Sequence, residues 1–128
     1  MTDKKPRTFG PYSPVRQAGN LYFTAGQVGA DAETKTAEPD VRAQTVKALE
    51  NLKEALASVG LELSDVVKVT VFLTDLDDAP VVGEVYTQYF SDPLPARTTL
   101  GVNELPRVAN HPLKIEIEAI AAKRSSND

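Results

Sequence analysis

The period of the hydrophobic positions changes repeatedly along this chain, and each change marks an element. Residues 15–18 and 21–25 flank Gly19-Asn20, a pair suited to a two-residue turn, so they form a β-hairpin. Residues 29–38, Gly-Ala-Asp-Ala-Glu-Thr-Lys-Thr-Ala-Glu, carry no apolar period and read as an exposed loop leading to Pro39, a good first helical residue. Val41, Thr45, Ala48, Leu49, Leu52, Ala55, Leu56 and Val59 then recur at spacings of three and four and draw one continuous helical stripe, with Gly60 as its stop. Over residues 66–73, Val67, Val69, Val71 and Leu73 alternate with Lys68, Thr70 and Phe72, the period of a strand. Pro80 opens a short second helix whose stripe is Val82, Val85, Tyr86 and Tyr89, with Phe90 beside it. Pro93 and Pro95 forbid its continuation, and strands follow at 97–102 and 113–121.

Two strands, a helix, a strand, a helix and two more strands predict an α+β fold in which one mixed sheet carries both helices on one face. The helices can cover only that face. Phe72 and Ile120 place apolar side chains on the other, which calls for association of like chains.

Composition narrows the class. The 128 residues fit a single domain, with the lead 1–9 and the tail 123–128 expected to be flexible. A content of 41% hydrophobic and 25% charged residues is that of an ordinary soluble globular protein. The absence of cysteine excludes disulfides, thiolate metal sites and a thiolate nucleophile. The start is charged, and no stretch approaches the roughly 18 apolar residues of a membrane span, so a cytoplasmic protein without membrane contact is expected. A net charge of -4, with Lys and Arg scattered, argues against nucleic acid as a partner.

The candidate chemistry lies in the last two strands, expected to be neighbours. Arg97 offers a permanent cation whose rigid fork accepts a carboxylate through two parallel hydrogen bonds, and Thr99 shares its strand face. In Lys114-Ile115-Glu116-Ile117-Glu118 the three charged side chains project together, while Ile115, Ile117 and Ala119 point the other way. By themselves these residues describe a wet sheet face, with Arg97 paired to Glu116 or Glu118. Tyr12 reads as a turn tyrosine packed at a domain edge, and Gly26 as a bulge or a place of close backbone approach.

Four segments together resemble the Rid family (RidA/YjgF type). They are Gly10-Pro11-Tyr12-Ser13-Pro14, Ala18-Gly19-Asn20-Leu21-Tyr22-Phe23-Thr24-Ala25-Gly26-Gln27, Pro95-Ala96-Arg97-Thr98-Thr99-Leu100-Gly101-Val102 and Lys114-Ile115-Glu116-Ile117-Glu118-Ala119-Ile120-Ala121, and the likeness covers nearly the whole chain. Active members of that family hydrolyse reactive imines and enamines. The resemblance implies a chorismate-mutase-like fold and a homotrimer whose clefts lie between subunits. It also implies that Arg97 binds the substrate carboxylate, that Glu116 orients the attacking water, and that Tyr12, Ala25, Gly26 and Thr99 line the cleft. Hydrolysis of an already electrophilic C=N carbon needs no metal and no organic cofactor, and none is expected. Ala25 stands where many members carry serine, Gly83 where many carry asparagine, and Thr99 where some carry cysteine; residues 107–112 form a longer connection than usual. Turnover of 2-imino and 2-enamine acids is the leading expectation. A non-catalytic sensor of keto acids in the same cleft is the alternative, and an RNA-cleaving role lacks the basic surface it would need.

Overall fold

The computed structural model describes residues 6–123. In chain order its elements are β1 (Val15–Ala18), β2 (Leu21–Thr24), β3 (Gln27–Val28), β4 (Ala30–Asp31), β5 (Thr36–Ala37), α1 (Val41–Ala57), β6 (Val66–Leu73), α2 (Ala79–Tyr86), β7 (Ala96–Gly101) and β8 (Ile115–Ala122). The main sheet runs β1-β2-β8-β6-β7, with β3 also paired to β8. Only β6 and β7 run parallel, so the sheet is mixed, and both helices pack on one face of it as the hydrophobic pattern predicts.

Burial explains that choice of face. Leu49, Leu52 and Leu56 of α1 and Val82, Val85 and Tyr86 of α2 meet Val69, Val71 and Leu73 of β6 and Ile115, Ile117, Ala119 and Ala121 of β8 in one cluster. Each large aliphatic side chain so buried is worth roughly 1.5–3 kcal/mol, enough to fix the register of both central strands. The β1–β2 hairpin turns at Gly19, φ +63°, between Ala18 and Leu21, as expected.

Helix α1 starts two residues later than Pro39 implied. The Asp40 carboxylate accepts the Ala43 N–H at 3.1 Å and so satisfies one of the donors that a helix N-terminus leaves open, which puts Pro39 before the cap. At the other end Gly60, φ +79°, lets the Leu61 N–H reach the Leu56 carbonyl at 2.9 Å. Val59 falls past the helix and is exposed.

Two expectations are corrected. In β6 the register with β8 shifts between Val66 and Lys68, so Val66 is buried and Val67 faces out, 49% exposed. Residues 29–38 form the β4–β5 hairpin, not a loop. The Asp31 carboxylate accepts the Glu33 and Thr34 N–H groups at 2.9 and 3.0 Å, and Lys35 takes φ +58°. Ala30 is fully buried there beside Val28 and Leu113 in a second cluster that Phe9, Leu105, Val108 and Ala109 complete. The long 107–112 connection is tied to the same hairpin, because Asn110 accepts the Ala37 N–H at 2.8 Å through its side chain and gives its own N–H to the Lys35 carbonyl at 3.2 Å. The flexibility expected at 1–5 and 124–128 falls outside the described residues.

Gln44 joins these parts. Fully buried on α1, it donates to the Glu38 and Pro112 carbonyls at 2.8 and 3.0 Å and accepts the Lys114 N–H at 2.7 Å. It thereby sets the start of β8 against the helix.

Candidate active site

The residues singled out in the sequence collect into two groups. The first lies where β2 gives way to β3. Thr24, buried, accepts the Ala119 N–H through its hydroxyl at 3.0 Å and fixes the end of β2 on β8, while the Ala25 N–H bonds to the Pro14 carbonyl at 2.9 Å. This positions Gly26 beneath Glu116. A Cβ at residue 26 would lie 2.6 Å from Glu116 Cδ and 2.9 Å from its Cγ, so the side chain crosses backbone that only glycine leaves bare. Tyr12 stands in a turn closed by its own N–H on the Gly10 carbonyl at 2.9 Å, and its ring is 48% exposed. Tyr12 and Gly26 line a groove of about 320 Å³ that continues past Val28 to Asn51 of α1 and to Ser58 just beyond its end.

Glu116 is the one ionisable group at the centre of this group. It sits on β8 between Phe72 of β6 and Val28 of β3, on the face opposite the helices. Its carboxylate forms neither a hydrogen bond nor an ion pair among the described residues. Burial, and secondarily the Glu118 charge on the same face, push its carboxyl above the usual glutamate range.

The second group is on β7, whose six residues are all exposed. Arg97 and Thr99 stand beside Val69 and Val71, two buried residues, and so project toward the helix layer. The Arg97 guanidinium lies 4.6 Å from the centre of the Tyr86 ring on α2. It donates no hydrogen bond and forms no ion pair among the described residues. Tyr86 packs in turn on Phe90, with ring centres 4.6 Å apart. Its phenol is raised above the ordinary tyrosine value by burial, against which the Arg97 charge works.

Arg97 and Glu116 are therefore not neighbours in one chain. The two strands were expected side by side, but β6 lies between them and the two side chains leave opposite faces of the sheet. A cross-sheet ion pair from Arg97 to Glu116 or Glu118 does not form. Sequence reading treated Tyr86 only as part of a helical stripe; its aromatic partner four residues on, Phe90, was the available sign of an ordered ring stack. Thr24 gave no sign beyond β-propensity. No group of three or more His, Asp or Glu suited to a metal occurs among the described residues, and no described helix is long and apolar enough to cross a membrane.

The chain is thus an α+β protein with a carboxylate over a glycine on one face of its sheet and an arginine without an ion-pair partner among the described residues on its edge strand, directed to the other face. The family model described as "Endoribonuclease L-PSP" matches residues 2–123, and the chain belongs to that family, the RidA/YjgF family. A RutC family protein of Pyrococcus abyssi is 44% identical over 124 residues, covering 96% of this chain and 94% of the relative. The 2-iminobutanoate/2-iminopropanoate deaminase of Salmonella typhimurium is 38% identical over 126 residues, 96% of this chain and 95% of that one. The crystal structure of E. coli TdcF with bound serine superposes with a TM-score of 0.83 at 37% identity, covering 97% of each chain.

Proposed function

We propose that this protein is a hydrolytic deaminase that converts 2-imino and 2-enamine acids to 2-keto acids and ammonia in the cytoplasm. The observation that carries the reading is Glu116, a half-buried carboxylate without a partner, aimed over backbone bared by Gly26. A carboxylate so placed can take a proton from water as the water oxygen bonds to the C=N carbon, and can return it to the nitrogen as the C–N bond of the carbinolamine breaks. An enamine enters the same course after a proton is added to its β-carbon. The iminium carbon is electrophilic already, so the reaction calls on neither metal nor organic cofactor.

Arg97 supplies the other requirement. Its free fork suits the substrate carboxylate, with the Thr99 hydroxyl on the same face and Tyr12 and Ala25 as walls. Because Arg97 and Glu116 leave opposite faces of one chain, a complete site takes Arg97 from one subunit and Glu116, Gly26 and Tyr12 from another. A homotrimer with clefts between subunits meets that requirement and covers the bare sheet face, where Phe23 and Leu100 are 42% and 37% exposed.

The test couples an amino-acid oxidase to the protein and follows ammonia release from the freshly formed imino acid. Wild type is expected to accelerate release and Arg97→Ala to abolish the effect. Keto-acid binding without acceleration would assign the chain to the sensor alternative instead.

A further inference from the structure

Arg97 is exposed on an edge strand, a setting in which a long cationic side chain ordinarily samples many rotamers. Here it does not hang free. Its guanidinium rests over the Tyr86 ring at 4.6 Å, and that ring is 4% exposed and backed by Phe90, itself 6% exposed. Tyr86 is the last residue of α2, and Phe90 follows in the turn that leaves it, its N–H on the Tyr86 carbonyl at 3.1 Å, which brings the two rings together. The guanidinium thus rests on a ring that is itself packed on a second ring, and both rings are buried.

The phenol hydroxyl takes no part in this. It is the one buried side-chain polar atom without a hydrogen-bond partner among the described residues. A tyrosine kept with its hydroxyl unsatisfied is held for its ring, because the hydroxyl itself destabilises the fold. What the ring does is occupy one face of the guanidinium with an attractive surface that accepts no hydrogen bond, so every N–H of the fork stays available.

We infer that Tyr86 is a positioning residue for substrate binding, a platform that presents the Arg97 fork ready-oriented to a planar 2-oxo or 2-imino carboxylate. This role rests on the deaminase reading for its substrate, although the platform acts on any small 2-oxo acid. A preoriented fork forms both hydrogen bonds without first ordering a free side chain, so the ring contributes to binding and leaves proton transfer at Glu116 untouched.

The experiment compares Tyr86→Leu, Tyr86→Phe, Arg97→Lys and the double variant Tyr86→Leu/Arg97→Lys in the full chain. It measures kcat and KM for a freshly generated 2-imino acid and the Kd for pyruvate as probe, with thermal midpoints to report folding. Tyr86→Leu is expected to raise both KM and the pyruvate Kd about tenfold with kcat little changed. Tyr86→Phe, which keeps the ring, is expected to hold both within about twofold of wild type and to melt no lower. In the Arg97→Lys background Tyr86→Leu should add nothing, since the fork it presents is gone. Pyruvate affinity unchanged in Tyr86→Leu, or a full further loss in the double variant, would overturn the inference. Should Tyr86→Leu not fold, the NMR signal of the Arg97 Nε–H decides: in wild type and Tyr86→Phe it should carry an upfield ring-current shift, and its absence would overturn the platform. A wild type that turns over no imino acid yet shows the pyruvate effects would refute the deaminase reading alone.

Discussion

At position 26 a methyl group would meet the Glu116 side chain inside contact distance, and the three atoms nearest to it all belong to Glu116. The carboxylate end can swing aside, so Gly26→Ala is expected to leave the thermal midpoint nearly unchanged. Its kcat should fall by roughly ten- to a hundredfold, because a carboxylate displaced by about an ångström no longer aligns the water. Steady-state kinetics beside a melting curve checks both halves, and a large drop in midpoint would point to a packing role for the glycine. Glu116 also predicts a pH dependence. Burial first and Glu118 second raise its carboxyl, and the base form is the active one, so the acidic limb of kcat/KM should lie above the ordinary glutamate value and move to lower pH in Glu118→Gln. The same shift has a consequence for stability with the opposite direction. The folded chain binds this proton more tightly than the unfolded chain, so the contribution is favourable at low pH and is lost as pH rises through the raised value. Individual residues were legible to the extent that strand period settles which face a side chain takes: Glu116 and Glu118 were read correctly as facing away from Ile115 and Ile117. Tyr86 was not, because a stripe of buried residues gives no hint of what lands on the ring from a distant strand.

The long helix and the first hairpin were plain in the sequence because each combines strong periodicity with a local stop, Gly60 in one and Gly19-Asn20 in the other. Where the sequence misled, a local polar interaction had replaced hydrophobic period. The β4–β5 hairpin is held by Asp31 and Asn110 through side-chain bonds to backbone, which leave no pattern, and the slip at Val67 is a change of register that a run of valines conceals. Gln44 is a third case, a buried amide on a helix face that is otherwise apolar but for Thr45. Gln44→Leu should cost roughly 2–4 kcal/mol, since the Lys114 N–H and two carbonyls lose the partner that the fully buried amide gives them. Denaturant unfolding measures it. KM should change little in the fraction that remains folded, because neither Arg97 nor Glu116 touches Gln44; a midpoint equal to wild type would mean that the backbone groups find other partners.

The order of strands carries the largest consequence for the molecule as a whole, and it was also the least legible. Alternation predicts that β7 and β8 exist but not that β6 comes between them, since β7 joins β6 in parallel through α2 while β8 returns antiparallel on the far side. The two halves of the proposed site are thereby set on opposite faces of a sheet one chain thick, and no movement of side chains brings them together. In the proposed reading assembly does so, with the face bearing Phe23, Phe72 and Ile120 as the surface offered to a like chain. A mixing experiment separates a shared cleft from a site complete in each subunit. Arg97→Ala and Glu116→Gln should each be inactive alone. Unfolded together in equal amounts and refolded, they form mixed rings in which a cleft is intact when its arginine comes from the Glu116→Gln chain and its glutamate from the Arg97→Ala chain, the case for about a quarter of clefts if subunits assort at random. Recovery of about that fraction of wild-type turnover, with light scattering reporting three chains per particle, is the expected result. A mixture no more active than either parent would show that Arg97 and Glu116 are not brought to one cleft by different chains, and the assembly would then be no part of the mechanism.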